Sequence, residues 1–152
     1  LIAELRGAFD CVVVDLPRHA AHTFAAALED ADEIVVVSDL TLVGVRDTAR
    51  LLAMAGDASP EAGVRIAVNR AGGRDGQITR REFERGIERP IDFAIPADAK
   101  LAANAANAGR PLAEILPRAR MLKPVRTLAE MVAPPDPADT AAPKRRLRLW
   151  GT

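Results

Sequence analysis

Four short apolar runs divide the chain and predict the strands of a sheet. The first two are continuous and rich in valine, a pattern typical of strands buried on both faces of a parallel sheet. The fourth alternates Ile91, Phe93 and Ile95 with other residues, which favours a strand nearer an edge. The runs occupy residues 11–14, 34–37, 64–68 and 91–95.

Between the runs, the apolar positions follow the period of an α-helix. After the second run, the residues spaced to form one buried helix face are Leu42, Val45, Ala49 and Leu52. Strand and helix signals alternate along the body of the chain. This order predicts an α/β fold with three layers, helix, sheet and helix, built on a mostly parallel sheet with right-handed crossovers.

Several helix ends are marked by capping residues. Thr79 and Glu82 have the spacing of a capping box at the start of a short helix. Asp98 is suited to cap an alanine-rich helix that Gly109 ends. Pro124 is compatible with the last helix only in its first turn, where no intrahelical amide donor is needed.

The charge distribution divides the chain into a body, a linker and a tail. Basic and acidic residues both number 21, so the formal net charge is zero, which excludes a generally basic nucleic-acid coat. Residues 134–143 contain four prolines and predict a semi-rigid linker. Residues 144–152 hold four basic residues and no acidic one. We therefore predict a globular body over residues 1–133, followed by this linker and a basic tail.

Residue types exclude several classes of protein. The single cysteine, Cys11, allows no intrachain disulfide and no cysteine-based zinc site. Aromatic residues make up 3% of the chain, too few for a platform that stacks single-stranded nucleic acid. No apolar run approaches the roughly 20 residues of a membrane-spanning helix. We expect a cytoplasmic protein with no metal held by its own residues and no specific nucleic-acid partner.

Polar residues follow each apolar run, and the carboxyl ends of parallel strands are where open sheets bind ligands. Asp15 comes directly after the first run. Its carboxylate can hold a magnesium-bound water near a phosphate, or it can start the turn before Pro17. Asn69 offers a donor and an acceptor that match the edge of an adenine ring, or it can satisfy loop backbone.

Two motifs that would indicate phosphate chemistry, a phosphate-binding loop and a phospho-acceptor segment, are not present in this sequence. The pair Gly72 and Gly73 is not part of GxxxxGK[ST], the phosphate cradle, and the sequence contains no such motif. VVVDLP loosely resembles the phospho-acceptor segment of receiver domains. Receivers usually place a proline four residues after the aspartate, whereas Pro17 comes two residues after Asp15. We therefore reject a receiver domain.

Five segments together resemble the MinD/ParA-type ATPases, and more narrowly the CpaE/TadZ branch associated with Flp (Tad) pilus assembly. They read FDCVVVDLPR, ADEIVVVSDLTLVGVRDTARLL, VRIAVNRAG, IDFAIPAD and AANAGRPLAEILP, and the resemblance covers roughly residues 5–133. It implies part of a SIMIBI-type P-loop NTPase domain, with ATP or ADP and Mg²⁺ as cofactors of the full-length protein. Since the P-loop and switch I are missing from the sequence, we expect the C-terminal half of such a domain.

The resemblance implies roles for individual residues. Asp15 corresponds to the switch-II aspartate near Mg²⁺ and the γ-phosphate. Asn69 is similar to the adenine-reading asparagine, and Arg70, Pro96 and Asp98 correspond to segments that flank the adenine ring. The chain departs from MinD proteins after DLP, where an arginine and a histidine stand in place of the usual glycine. Weak or no ATP hydrolysis is therefore expected.

The resemblance also implies a biological role. The first hypothesis is a MinD-like, ATP-binding factor for Flp/Tad pilus assembly and polar localisation, which forms a homodimer and contacts the Tad secretion machinery. The alternative is a cycling ParA/MinD-family ATPase in chromosome or plasmid partition or division-site placement. Either protein would be cytoplasmic, with a peripheral position at the inner membrane or cell pole.

The tail is similar to the basic amphipathic helix with which MinD proteins dock on anionic lipid. A tail of nine residues is too short for a helix that is stable alone in water. An ordinary disordered basic tail is the other interpretation. The residues predicted to contact a membrane or partner are Lys144, Arg145, Arg146, Arg148 and Trp150.

Overall fold

The computed structural model describes residues 2–17, 28–73 and 77–133. Strands and helices alternate from the first strand to the fourth helix, which confirms the predicted α/β fold. The elements are α1 (Ile2–Ala8), β1 (Glu33–Ser38), α2 (Leu42–Ala58), β2 (Gly63–Ala71), α3 (Arg80–Ile87), β3 (Phe93–Pro96), α4 (Ala99–Ala108), α5 (Leu112–Ile115) and α6 (Leu122–Val132).

The three strands form one parallel sheet in the order β1-β2-β3. Val36 is in register with Ile66, and Ala67 with Phe93. Because both pairings are parallel, all three strands end at the same edge of the sheet. The strand predicted to lie near an edge, β3, is an outer strand of this three-stranded sheet.

The predicted first strand is not formed. Residues 11–17 have no regular secondary structure, and Val13 is 83% exposed. Valine favours extended backbone, but a strand also needs a neighbour that pairs with its amide and carbonyl groups. No described strand pairs with this run, although the outer edge of β1 has no partner among the described residues.

The main core lies between the sheet and the helices α2 and α3. The fully buried Phe83 of α3 packs with Ile66 and Val68 of β2, and Ile87 and Ile91 complete the cluster with Leu40. The prediction for the second run was partly wrong. Val36 is buried, but Val37, on the other face of β1, is 61% exposed, so the end of this strand is covered on one face only.

The buried face of α2 differs from the predicted one. Val45 and Leu52 do pack against the core, but Leu42 is 75% exposed. The positions that are buried include Gly44, where a Cβ atom would collide with the carbonyl oxygen of Asp39. The missing side chain lets this end of the helix lie against the preceding loop, which turns Leu42 and the exposed Ala49 away from the core.

The predicted helix ends are confirmed. Thr79 and Glu82 form a capping box at the start of α3. Asp98 Oδ1 accepts a hydrogen bond of 2.9 Å from the Leu101 amide at the start of α4, and Gly109 ends that helix with φ of 59°. Pro124 is the third residue of α6, within the first turn.

A second, smaller core joins the helices α4, α5 and α6. Its buried residues are Leu101, Ala119 and Leu122, and α6 packs against β3. None of the described helices is long and apolar enough to cross a membrane. The linker and the tail predicted for residues 134–152 lie outside the described residues.

Candidate functional site

A cleft of about 370 Å³ opens at the edge where β1 and β2 end. Its wall consists of the last residues of both strands and the first turns of α2. Asn69 and Arg70, predicted as site residues, line the cleft together with Asp39 and Thr41. The expectation that polar residues after different strands meet at one edge is therefore met for β1 and β2.

Asn69 and Arg70 lie where the pairing of β2 with β3 becomes irregular, between Val68 and Ala71. Arg70 adopts a left-handed backbone conformation with φ of 55°, which is uncommon for a residue with a Cβ atom. Its amide donates a hydrogen bond of 2.9 Å to Asn69 Oδ1. This bond orients the carboxamide of Asn69 and leaves one lone pair of Oδ1 for a further donor.

Asp39 connects the loop after β1 to the end of β2. One carboxylate oxygen, Oδ1, accepts a hydrogen bond of 2.8 Å from the Thr41 hydroxyl, and Oδ2 lies 3.7 Å from Nη2 of Arg70. Thr41 also caps α2, since its hydroxyl oxygen accepts a bond of 2.9 Å from the Gly44 amide. The loop after β1 and the end of β2 are therefore held together by side chains that themselves line the cleft.

Gln77 closes the turn that follows β2. Its Nε2 donates to the carbonyl oxygen of Arg70 and its Oε1 accepts from the Gly72 amide, both at 2.9 Å. Gly73 lies so close to Ala97 that a Cβ atom on it would collide with the side chain there. The end of β2 is thus fixed from both sides, by Gln77 and by the residues after β3.

Pro96 and Asp98 lie at the same edge of the sheet, at the end of β3. Pro96 is in register with Ala71, and the Ala97 amide donates to the Ala71 carbonyl at 3.1 Å. The structure therefore brings Pro96 and Asp98 to the edge that carries Asn69 and Arg70. One oxygen of Asp98 is engaged as the cap of α4, and the side chain is exposed.

Asp15 is placed differently. It is exposed in the irregular segment and is not among the residues that line the cleft. Since the first run is not a strand, the argument that brings strand ends together does not extend to Asp15, and its role stays a prediction. The basic tail residues lie outside the described part of the chain.

Sequence reasoning missed three features. No motif near Gln77 indicates that its side chain makes hydrogen bonds to the backbone at the end of β2. Thr48 is buried in the cleft wall, and its hydroxyl has no hydrogen-bond partner among the described residues. A second groove of about 370 Å³ beside α6 contains four basic side chains, which could have been noticed from their spacing: Arg118, Arg120, Lys123 and Arg126.

Within the described ranges, no group of three or more His, Cys, Asp or Glu side chains could hold a metal ion.

Asn69 fits one end of a nucleotide. Its Nδ2 has no partner among the described residues, and Oδ1 keeps one lone pair, so the carboxamide can pair with a base edge that presents both a donor and an acceptor. A phosphate cradle of the GxxxxGK[ST] type does not occur in this sequence. The residues present can thus serve the base, whereas the phosphates would need groups from elsewhere.

The described elements define an α/β fold built on a parallel sheet, with polar residues at the edge where the strands end. Solved structures with the same fold include a ParA family ATPase from Chlorobium tepidum TLS, with 27% sequence identity and a TM-score of 0.63, covering 72% of this chain and 45% of that one. They also include the MinD cell division protein of Aquifex aeolicus, with 19% identity and a TM-score of 0.69, covering 90% of this chain and 59% of that one.

These likenesses support a place in the MinD/ParA superfamily. The chain spans about half the length of the two solved structures, 45% and 59%. Comparison with models of protein families and with curated proteins gives no match.

Proposed function

We propose that this chain is the C-terminal part of a MinD-like, ATP-binding protein that positions the Flp/Tad pilus assembly machinery, as CpaE/TadZ proteins do. The observation that carries the proposal is the placement of Asn69, Arg70, Pro96 and Asp98 at one edge of a parallel sheet. This is the arrangement expected of residues that surround an adenine ring. The likeness to ParA and MinD structures supports the ATPase class, and the CpaE/TadZ assignment rests on the sequence resemblance.

In this proposal, the full-length protein binds ATP or ADP with Mg²⁺. Asn69 pairs with the base and Asp15 lies near the metal and the γ-phosphate, while the phosphate cradle comes from residues outside this chain. The protein forms a homodimer in the cytoplasm and contacts Tad secretion proteins. The tail adds contact with an anionic membrane surface at the inner membrane or cell pole.

Nucleotide binding by the full-length protein, followed by fluorescence of a bound ATP analogue, tests the ATP part. Replacing Asn69 by alanine should weaken ATP binding about tenfold, because a lost pair of hydrogen bonds is worth roughly 1.5 kcal/mol. The exposed Asn104 of α4 is the matched control, and its replacement by alanine should change nothing. Equal ATP affinity of the Asn69→Ala variant and the wild type would contradict the base-reading role.

The biological part needs a cellular test. Deleting the gene should abolish Flp pili, and a fluorescent fusion should form a focus at the cell pole. Intact pili together with defective chromosome or plasmid partition would favour the cycling ParA/MinD-type ATPase. A hydrolysis rate strongly stimulated by a partner would point the same way.

A further inference from the structure

We propose that Gln77 is a positioning residue that holds Asn69 in the orientation needed to read a base. The inference rests on the base-reading role of Asn69 proposed above. Gln77 itself does not line the cleft. It acts through the three residues that directly follow Asn69, the last two of β2 and the turn residue after them: Arg70, Ala71 and Gly72, together called the turn below.

The carboxamide of Gln77 makes two hydrogen bonds to the backbone of the turn. Nε2 donates to the Arg70 carbonyl and Oε1 accepts from the Gly72 amide, each at 2.9 Å. A primary amide is the side-chain group that offers a donor and an acceptor side by side, so it matches a backbone carbonyl and an amide that lie next to each other. Neither a carboxylate nor a hydroxyl group can make both bonds with the same geometry.

The turn needs such support because its backbone is strained. Arg70 has φ of 55° and Gly72 has φ of 75°, both in the left-handed region. Glycine adopts this region freely, but arginine does not, so Arg70 keeps it only where the surroundings enforce it. Gln77 bonds to the carbonyl of Arg70 itself, the residue that carries the strain.

The strained residue in turn orients Asn69. The amide of Arg70 donates to Asn69 Oδ1 at 2.9 Å, which settles which end of the carboxamide faces the turn. Nδ2 is then left to donate and Oδ1 keeps one lone pair. Because the chain on both sides is held, by pairing in β2 and by Gln77, Arg70 could leave its left-handed φ only with a compensating change in ψ of Asn69. That change would rotate the peptide plane between the two residues and turn the Arg70 amide away from Oδ1.

Gln77 can hold the turn because the residue after it, Ile78, is anchored to the core. The amide of Ile78 donates to the carbonyl of the buried Leu40 at 2.9 Å, and the Ile78 side chain packs against the main core. Asp39, next to Leu40, adds the ion pair with Arg70. Gln77 therefore links a fixed point next to the core to the turn that presents Asn69.

The test uses the 152-residue chain labelled with ¹⁵N, in three variants besides the wild type: Gln77→Ala, Gln77→Glu and the surface control Asn104→Ala. The first readout is hydrogen exchange of the Arg70 and Gly72 amides. Gln77→Ala should speed exchange at Gly72 at least tenfold, and Gln77→Glu, which can still accept from Gly72 but not donate to Arg70, should speed it less. Exchange at Gly72 unchanged in Gln77→Ala would overturn the inference.

The second readout is the side-chain amide signal of Asn69 during titration with adenosine or guanosine at millimolar concentration. The wild type and Asn104→Ala should bind adenosine more tightly than guanosine. In Gln77→Ala the ratio of the two affinities should fall at least fivefold. If Gln77 only stabilised the fold, this ratio would not change. Retained preference in a variant with faster Gly72 exchange would overturn the positioning role. A wild type that ignores both nucleosides would instead contradict the base-reading function, while the exchange readout still decides whether Gln77 holds the turn.

Discussion

Asp39, in the loop after β1, and Arg70, near the end of β2, lie at the same end of the sheet, with Oδ2 of the carboxylate 3.7 Å from Nη2 of the guanidinium. Their side chains are 26% and 53% exposed, so water screens the pair and its net contribution to stability is small. The importance of the pair is geometric. It joins the loop before α2 to the end of β2, where Asn69 lies.

Replacing Asp39 by alanine should therefore change the free energy of unfolding by no more than about 1 kcal/mol, as is usual for an exposed ion pair. Urea denaturation followed by circular dichroism measures this change. The same variant should broaden or shift the amide signals of Asn69 and Arg70. A loss above about 3 kcal/mol would show that the carboxylate has a buried structural role instead.

The main core should be far more sensitive. Phe83 is 0% exposed and packs against β2, so Phe83→Ala removes a large side chain and leaves a cavity. We expect a loss of about 3–5 kcal/mol in the free energy of unfolding. Phe9→Ala is the matched control, because Phe9 is 62% exposed, and it should change stability by less than about 0.5 kcal/mol. Similar losses in both variants would contradict this description of the core.

Acid should weaken the contact between α3 and the segment that precedes β3. A hydrogen bond from the Ile91 amide, and then one from Arg80, hold the pKa of Glu84 below its ordinary value. A lowered pKa in the folded state stabilises the protein above the unfolded-state pKa, and this contribution is lost as the pH falls through the folded-state pKa.

Glu84→Gln should therefore be less stable than the wild type at pH 7, with the difference shrinking once the pH falls below the ordinary value of 4.5. Urea unfolding at a series of pH values measures it. Glu130→Gln, at an exposed site with no ion pair to another described residue, should show no such trend. A Glu84→Gln deficit that stays constant down to pH 2 would contradict the prediction.

Deleting residues 144–152 should weaken binding to vesicles that contain anionic lipid. Each basic residue near such a surface contributes about 1 kcal/mol, and a dimer presents two tails. Co-sedimentation with anionic and with neutral vesicles measures the effect in the full-length protein. Equal binding with and without the tail, or no binding by the parent protein, would count against a membrane contact.

The 152-residue chain alone should show no saturable binding of ATP at micromolar concentration, although its base-reading edge can still contact a nucleoside at millimolar concentration. Phosphate affinity in P-loop proteins comes from backbone amides and a lysine of the GxxxxGK[ST] loop, and each lost charge-assisted bond costs roughly 1.5–3 kcal/mol. Calorimetry with ATP and Mg²⁺ provides the measurement. Saturable binding at micromolar ATP would mean that the phosphate site is complete within these residues.

The features predicted correctly are those that depend on residues close together in the sequence. The capping box of Thr79 and Glu82 and the end of α4 at Gly109 follow from neighbouring residues, and the structure confirms both. The strand expected at residues 11–14 failed because valine content reports only a preference for extended backbone, whereas a strand depends on a partner elsewhere in the chain.

The residues of the candidate site differ in the same respect, since only some of them depend on their neighbours in the sequence. Asn69 was visible because it directly follows an apolar run. Gln77 was not, because its bonds to Arg70 and Gly72 depend on a left-handed turn that no pattern of residue types announces. The exposed position of Leu42 was likewise hidden, since it follows from the close approach of Gly44 to the loop at Asp39.

The parallel sheet also has a consequence for how the chain folds. Val36 pairs with Ile66 and Ala67 pairs with Phe93, so the partners are separated by 30 and 26 residues along the chain. No two of the three described strands pair as a hairpin, and each of their pairings has to close a long loop that contains a helix before it gains any contact. We expect α2 and α3 to form first and the sheet to assemble late and cooperatively around Phe83. Among the described strands, β1 therefore has a partner only once β2 has been synthesised.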